Sequence, residues 1–379
     1  MAELELLSGV REVPAAEWNA LVGDGSPFLE WEWLASLEDA GCVGPETGWA
    51  PRPLVLREAG CLVAACPLYV KGHSEGEFVF DWGWADAAAR AGIEYYPKLL
   101  VGVPFTPVTG ARLLTAPRED RARRVHQLAV ALAELCSGNR ISGVHVNFCR
   151  EDEHAALREA GFLPRLGLQY HWRNAGFETF EDWLGGLRSK RRNQVRREQR
   201  ELEAQGIEIE RLHGEAIPDA LVRAMFEIYV TTIRSNPWGR QYLNAGFFEL
   251  LAARFRSRLC LVVARAGQEL VAGTVNVQKG DALYGRYWGA FRSLRHLHFN
   301  VCYYAGIAHC IEHGLERFEP GAGGEYKQLR GFDATPTWSF HLLTDARLRR
   351  AVESFLARER AEAGGAIDWY RAHSANRRL

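Results

Sequence analysis

No run of 18 apolar residues occurs anywhere in the sequence, so no single helix long and apolar enough to cross a bilayer is expected. The eight cysteines, at positions 42, 61, 66, 136, 149, 260, 302 and 310, include no C-x-x-C pair. Scattered thiols of this kind fit buried, reduced side chains better than a disulfide framework or a zinc knuckle. The absence of a G-x-x-x-x-G-K-[ST] loop and of a G-x-G-x-x-G turn removes P-loop and dinucleotide-binding readings. His309 and His313 stand at metal-ligand spacing on one helix pattern, but no H-E-x-x-H and no clustered third ligand accompanies them, so no metal is expected. Lysine is scarce, outnumbered by arginine 41 to 5, and arginine suits planar, bidentate recognition of phosphate or carboxylate.

What is present is the composition of a soluble globular protein, 47% hydrophobic, 25% charged and 11% aromatic. A length of 379 residues favours two domains that each bury a core. The opening MAELELLSGV is acidic and alternating, where a signal peptide is basic and then continuously apolar. A cytoplasmic location is therefore expected.

Apolar periodicity sets out a mixed order of elements. A strand over Leu4–Val10 leads to helices over Ala15–Val22 and Glu30–Ala40, then to two apolar runs split by a turn, LVLREAGCLVAACPLYVKG, Leu54–Gly72. About 207 residues later LVVARAGQELVAGTVNVQKG, Leu261–Gly280, repeats the pattern of strand, Ala-Gly turn and strand, which marks a duplicated supersecondary unit. Helices over Glu178–Leu187, Ser189–Gln205, Ile217–Ser235 and Ala245–Phe255 precede the second hairpin; a strand over Ala282–Trp288 and a helix over Leu297–His313 follow it. The prediction is an α/β (α+β) fold built twice. A boundary near Arg173–Phe177 gives domains of residues 1–174 and 175–379.

The densest charge lies in RSKRRNQVRREQR, Arg188–Arg200, with seven basic side chains and one acid in a chain of net charge −1. On a helix, Arg192, Arg196 and Arg200 stack as a ladder, while Val195 and Leu202 lie on another face and can dock it. Arg188, Lys190 and Arg191 crowd the first turn, where the helix dipole disfavours cations, and like charges four residues apart cost roughly 0.2–0.5 kcal/mol per pair. An anion relieves both penalties. The alternative is a solvated basic face neutralised in part by Glu198, Glu201 and Glu203.

FDWGWADA (Phe80–Ala87), YYPKL (Tyr95–Leu99), PFTPVTG (Pro104–Gly110), GRYWG (Gly285–Gly289), LHFNVCYY (Leu297–Tyr304), FEPGAGGEYK (Phe318–Lys327) and RGF (Arg330–Phe332) together resemble the Fem family. They are most similar to the branch named for peptidoglycan biosynthesis or recognition. The resemblance covers nearly the whole chain. It implies two tandem GNAT-type acyltransferase domains, each a mixed sheet flanked by helices, and transfer of an amino acid from aminoacyl-tRNA to an amine of a peptidoglycan precursor or small metabolite, with no cofactor. Under it, Arg188, Lys190, Arg191, Arg192, Arg196 and Arg200 are expected to meet tRNA phosphates.

Acyl transfer to an amine needs a route for the amine proton and donors for the oxyanion. In this fold the reacting carbonyl lies where central strands splay, which the resemblance puts between Arg286-Tyr287-Trp288-Gly289 and Phe318-Glu319-Pro320-Gly321. A basic residue before a Gly-Phe resembles the family's oxyanion stabiliser, and either Lys327 or Arg330 fits; Lys327 is preferred. Glu325 is the candidate base or amine-orienting acid, its alternative a salt bridge to Arg286 or Lys327. The motif residues Tyr287, Trp288, His298, Asn300, Tyr303, Tyr304 and Tyr326 are candidates for binding substrate. The branch pattern has an acid where this chain has Asn300, a glutamine at Gly323 and a histidine at Tyr326, which removes two candidate proton acceptors and suggests a specialised substrate. In the first half, Trp84, Asp86, Tyr96, Lys98 and Thr106 are the candidates for a cleft lined by aromatics, Lys98 and Asp86 first among them.

Two rivals stand beside this reading. One keeps the fold and takes acetyl-coenzyme A or another acyl thioester; against it, the junction WGAFRSLRHLHFN, Trp288–Asn300, lacks the Q/R-x-x-G-x-G/A loop that cradles pyrophosphate, although Arg292 and Arg295 are at hand. The other is a protein that binds a peptidoglycan fragment without chemistry.

Overall fold

Each of the two related sequence runs closes on a tight turn in the left-handed region, at Ala59 and Gly60 (φ 49° and 81°) and at Gly267 (φ 59°), and each forms an antiparallel hairpin. The computed structural model describes residues 2–236 and 239–377. Along the first part of the chain run β1 (Ala2–Leu6), α1 (Ala15–Val22), α2 (Trp31–Asp39), β2 (Trp49–Pro51), β3 (Leu54–Glu58), β4 (Cys61–Cys66), β5 (Leu68–Lys71), α3 (Trp82–Arg90), β6 (Lys98–Val101) and β7 (Leu114–Thr115). Then come α4 (Arg121–Gly138), β8 (Gly143–Asn147), α5 (His154–Glu159) and β9 (Leu163–Arg173). The second part comprises α6 (Phe180–Gly186), α7 (Ser189–Glu203), β10 (Glu208–His213), α8 (Asp219–Ser235), α9 (Ala245–Arg254), β11 (Leu259–Ala266), β12 (Glu269–Lys279) and β13 (Ala282–Ala290). It ends with α10 (Leu297–Phe299), α11 (Ala305–Glu312), β14 (Arg317–Glu319), β15 (Asp333–Leu343) and α12 (Ala346–Ala372).

The chain divides into two units, residues 1–168 with 336–365, and residues 169–335 with 366–379. It passes from one to the other inside β9, β15 and α12. The stretch from 336 to 365 thus folds with the first unit, a return of the chain that local periodicity does not announce.

The duplication is visible in the register. Glu58 faces Cys61 and Arg57 faces Leu62, after which Leu56 faces Ala64. In the second hairpin Ala266 faces Glu269 and Arg265 faces Leu270, after which Ala264 faces Ala272. Both strands therefore bulge two pairs from the turn, at Val63 and at Val271. Each unit also carries one parallel pair joined through a helix: β6 with β8 across α4, and β13 with β14 across α10 and α11.

In the first unit Val101, Val144, Val146 and Phe340 point to one side of the sheet and pack on Leu128 and Leu132 of α4. Their neighbours Lys98, His145, Asn147, Ser339 and His341 point to the other. In the second unit Val262, Ala264, Val271 and Ala272 build a core with Leu202 of α7 and with Leu297 and Val301 of the helix after β13.

Candidate active site

The parallel pair β13–β14 lasts for three positions, Ala282 with Arg317, Leu283 with Phe318 and Tyr284 with Glu319. It stops at Pro320, which has no N–H to donate. Opposite it stands Gly285, where a Cβ would lie 3.2 Å from the Pro320 Cα. One residue on, Arg286 is the extra residue of a bulge against β12. The strands thus part where proline ends the ladder and glycine permits the close approach.

Lys327 sits beside this opening. It is 3% exposed, and its Nζ donates to the carbonyls of Gly321 (2.6 Å) and Ala322 (3.2 Å). Two of the three ammonium hydrogens are thereby engaged, leaving one donor for a ligand oxygen. Burial pushes the Lys327 ammonium down to about 8.

Around it lies an aromatic shell. After α10 the helix widens into one π-helical turn, Asn300–Tyr304, before α11, a device often found at functional sites. His298 meets Trp288 edge-on (centroids 4.9 Å apart), Tyr303 (5.2 Å) and Tyr326 (6.2 Å), and Tyr303 packs on Phe332 (5.3 Å). Beyond Trp288 opens a cavity of about 310 Å³. Thr231, Thr232 and Ser235 of α8, Arg292 and Ser293 of the turn after β13, and His298 line it. A Cβ on Gly289 would lie 1.8 Å from the Ile228 carbonyl, so glycine lets α8 press on β13 and places the Thr231 hydroxyl against the Ala290 N–H (3.0 Å).

The basic helix is tied to this site by the one acid within its charged run. Glu198 is 2% exposed and accepts from Arg330 Nη2 (2.7 Å) and Nε (3.2 Å), from the Tyr304 hydroxyl, and from Gln194 (2.9 Å). Burial acts against the carboxylate, but these donors outweigh it and hold its pKa below the usual glutamate value. The Arg330 guanidinium lies 3.4 Å from the Phe299 ring centroid, and Asn300 donates to the Glu198 carbonyl (3.1 Å). Glu201 meanwhile accepts from His296 (3.0 Å) and pairs with Arg295 (3.1 Å), fastening the turn after β13 to the same helix.

The consequence is electrostatic. Glu198 faces inward and Glu201 is engaged with the turn, so the exposed face keeps its excess. Arg196 pairs with Glu181 and Arg197 approaches Glu201 at 3.8 Å. Among the described residues, no carboxylate lies within ion-pair distance of Arg188, Lys190, Arg191, Arg192 or Arg200, while Val195 and Leu202 are buried as the helix pattern required.

Not every candidate joins this centre. Glu325 is exposed and forms no ion pair with Arg286 or Lys327. Tyr287 turns to Tyr229 and Phe248 (5.4 and 6.1 Å), and Arg286 lies 5.4 Å from the Tyr287 ring. In the first unit Asp86 is on the outer face of α3, paired with Arg90. Thr106 donates to the Pro104 carbonyl, and Trp84 is buried against His341 (4.9 Å).

Lys98 of the first unit is wholly buried and donates to Ser74 (2.9 Å), Glu77 (2.9 Å) and Asp81. Tyr96 bonds Ser74 (2.8 Å), and Tyr95 donates to Asp81 (2.6 Å). His145 and His341 meet at 2.6 Å behind them. Burial alone would lower the Lys98 pKa, but the two carboxylates raise it. Ser74 belongs to Gly72–Gly76, GHSEG, which spells G-x-S-x-G; its hydroxyl is enclosed in this network and no helix opens at it, so it is not an exposed nucleophile.

Of two further features of the site, one is legible in the sequence. Glu198 stands three residues after Val195 and four before Leu202, so its inward direction follows from helix geometry. The hydroxyls of Thr231, Thr232 and Ser235 carry no such signal, since only the fold brings α8 to the end of β13.

A family model described as peptidoglycan biosynthesis/recognition, FemAB-like, matches residues 9–378. A search of curated proteins gives no significant sequence match. Among solved structures, FemX is similar at TM-score 0.54 and 12% identity, over 90% of this chain and 98% of that one. L-PGS from Bacillus licheniformis is similar at TM-score 0.51 and 9% identity, over 86% and 95%. A conserved protein of unknown function from Bacteroides thetaiotaomicron is similar at TM-score 0.53 and 10% identity, over 90% and 100%. These likenesses establish the fold, an α/β arrangement like that of FemX. Among the described residues no helix is long and apolar enough to cross a membrane.

Proposed function

From the premise that this chain belongs to the FemAB-like family, we propose that it is an acyltransferase that moves an aminoacyl group from aminoacyl-tRNA to an amine. The observation that carries the reading is the Glu198–Arg330 pair. It joins a helix whose outer face keeps an excess of cations to the loop bearing Lys327, so one connected assembly offers cations for phosphates and a buried ammonium for an oxyanion. The acceptor stem lies along Arg188, Lys190, Arg192 and Arg200. Its acylated terminal nucleoside enters the 310 Å³ cavity, whose hydroxyls and indole suit a ribose and a base. The free Lys327 hydrogen then stabilises charge developing on the acyl oxygen. The acceptor is an amine of a peptidoglycan precursor or a related small molecule, and the protein acts in the cytoplasm.

The test is incubation with a pool of labelled aminoacyl-tRNAs and candidate amines, alongside coenzyme A binding. Label appearing on an amine supports the reading. Tight coenzyme A binding with no tRNA binding at low salt replaces it with a thioester donor.

A further inference from the structure

The route of the amine proton is not supplied by the groups that the sequence suggested. Glu325 is exposed and forms no ion pair among the described residues, Asn300 is a non-basic amide already donating to two carbonyls, and burial pushes the Tyr303 and Tyr304 hydroxyls up, keeping them protonated. The cavity itself offers a narrower choice. Its lining includes threonine and serine hydroxyls, an indole, aliphatic side chains, Arg292 and His298. Among the described lining residues, His298 is thus the one side chain that stands as a neutral base near neutral pH.

Its surroundings favour that state. The ring is only partly exposed and lies edge-on to Trp288 and Tyr303. Among the described residues its nitrogens form no hydrogen bond, so a ligand is free to use them. The charged groups that bear on it are Lys327 and Arg330 from the loop after β14, with Arg292 at the cavity rim; the phenols of Tyr303 and Tyr326 complete the shell. Burial first, and these two cations next, push its pKa down to about 4.

We propose that His298 is the proton acceptor of the acyl-transfer step, a catalytic role that rests on the reading of the site given above. The amine lone pair forms the N–C bond while the carbonyl π pair moves to the oxygen facing Lys327. His298 takes the N–H proton. The carbonyl re-forms, the bond from acyl carbon to the ribose oxygen breaks, and the imidazolium returns its proton to that leaving oxygen. An imidazolium beside two cations is a strong acid, so the second transfer is the favoured one. No metal, oxidant or further reactant enters the balance.

The experiment compares wild type, His298→Gln and His298→Ala in acyl transfer across pH 3–9, with melting curves to confirm folding. The expected result is a loss of about 10²–10³-fold in kcat/KM with little change in KM for the donor. The part of the acidic limb that falls near pH 4 should disappear in His298→Gln, leaving the limb set by protonation of the acceptor amine, and added imidazole should partly restore His298→Ala. A His298→Gln protein with wild-type rate and profile overturns the inference, as does a rate loss without change of pH profile and without imidazole rescue. Wild-type protein that transfers nothing from any donor overturns the parent reading, and this one with it; the two failures are therefore distinct. Should both variants fail to fold, the wild-type profile decides: the absence of a further fall in rate near pH 4, beyond that set by the acceptor amine, refutes the role.

Discussion

Replacing Glu198 by Gln tests whether one buried carboxylate holds the basic helix to the site. The pair is almost dry, with side chains 4% and 3% exposed, and it is held by two contacts from Arg330. Removing the charge leaves the guanidinium buried beside an amide. Breaking a buried pair from one side costs about 3–5 kcal/mol, and we place this case near 3 kcal/mol, because a glutamine oxygen can still accept from Tyr304 or Arg330. Because the chain folds as two units, a single global unfolding energy is not the right readout. Hydrogen exchange of α7 amides reports the local loss directly, and about 3 kcal/mol corresponds to roughly 100-fold faster exchange. The carboxylate is held below its ordinary pKa, so its contribution is present above about pH 4.5 and vanishes as pH falls through the lowered value. The gap between wild type and Glu198→Gln should close in acid. A double variant with Arg330→Met should lose less than the sum of the singles, since no uncompensated charge remains. Exchange altered less than about fivefold in both singles would refute the coupling, and the transfer of phosphate binding to the Lys327 loop would lose its physical link.

Changing Arg192, Arg196 and Arg200 to Gln should leave stability within about 1 kcal/mol, because the one surface pair removed is exposed; tRNA binding should weaken and its salt dependence flatten from a log–log slope of about −2 to −3, at roughly 0.7–0.9 per contact, as filter binding at several salt concentrations would reveal. Lys327→Ala should lower kcat by about 10²–10³-fold in the manner of a lost oxyanion donor, with tRNA affinity retained; unchanged turnover would move the chemistry elsewhere. His298, with a folded pKa of about 4 against 6.5 unfolded, binds its proton more readily when unfolded, so stability should fall as pH drops from about 6.5 to 4, by up to about 3 kcal/mol. His298→Gln should flatten that part of the stability curve, and an unaltered curve would show that the ring is more accessible to water than its position implies.

Local order was largely legible. Helix α1 spans the expected residues, α7 begins at the expected Ser189, and both hairpins form where two similar strings lie in the sequence. Periodicity of 2 or 3.6 is a property of neighbours along the chain, and a duplicated string needs no fold to be seen. Edges shifted where no turn residue fixed them: the first strand runs Ala2–Leu6 instead of Leu4–Val10, and the helix expected over Leu297–His313 is interrupted by a π-helical turn. The charge of the Arg188–Arg200 run was also fixed by sequence alone. Its meaning was not, because neutralisation depends on where Glu198 points and on Arg330, 132 residues away. Tertiary structure likewise decided that Lys98 is enclosed by Glu77 and Asp81, that Asp86 faces solvent, and that three α8 hydroxyls share a cavity with His298. Such pairings are set by strand order, by the proline that ends a ladder and by glycines that let elements touch, none of which local periodicity encodes.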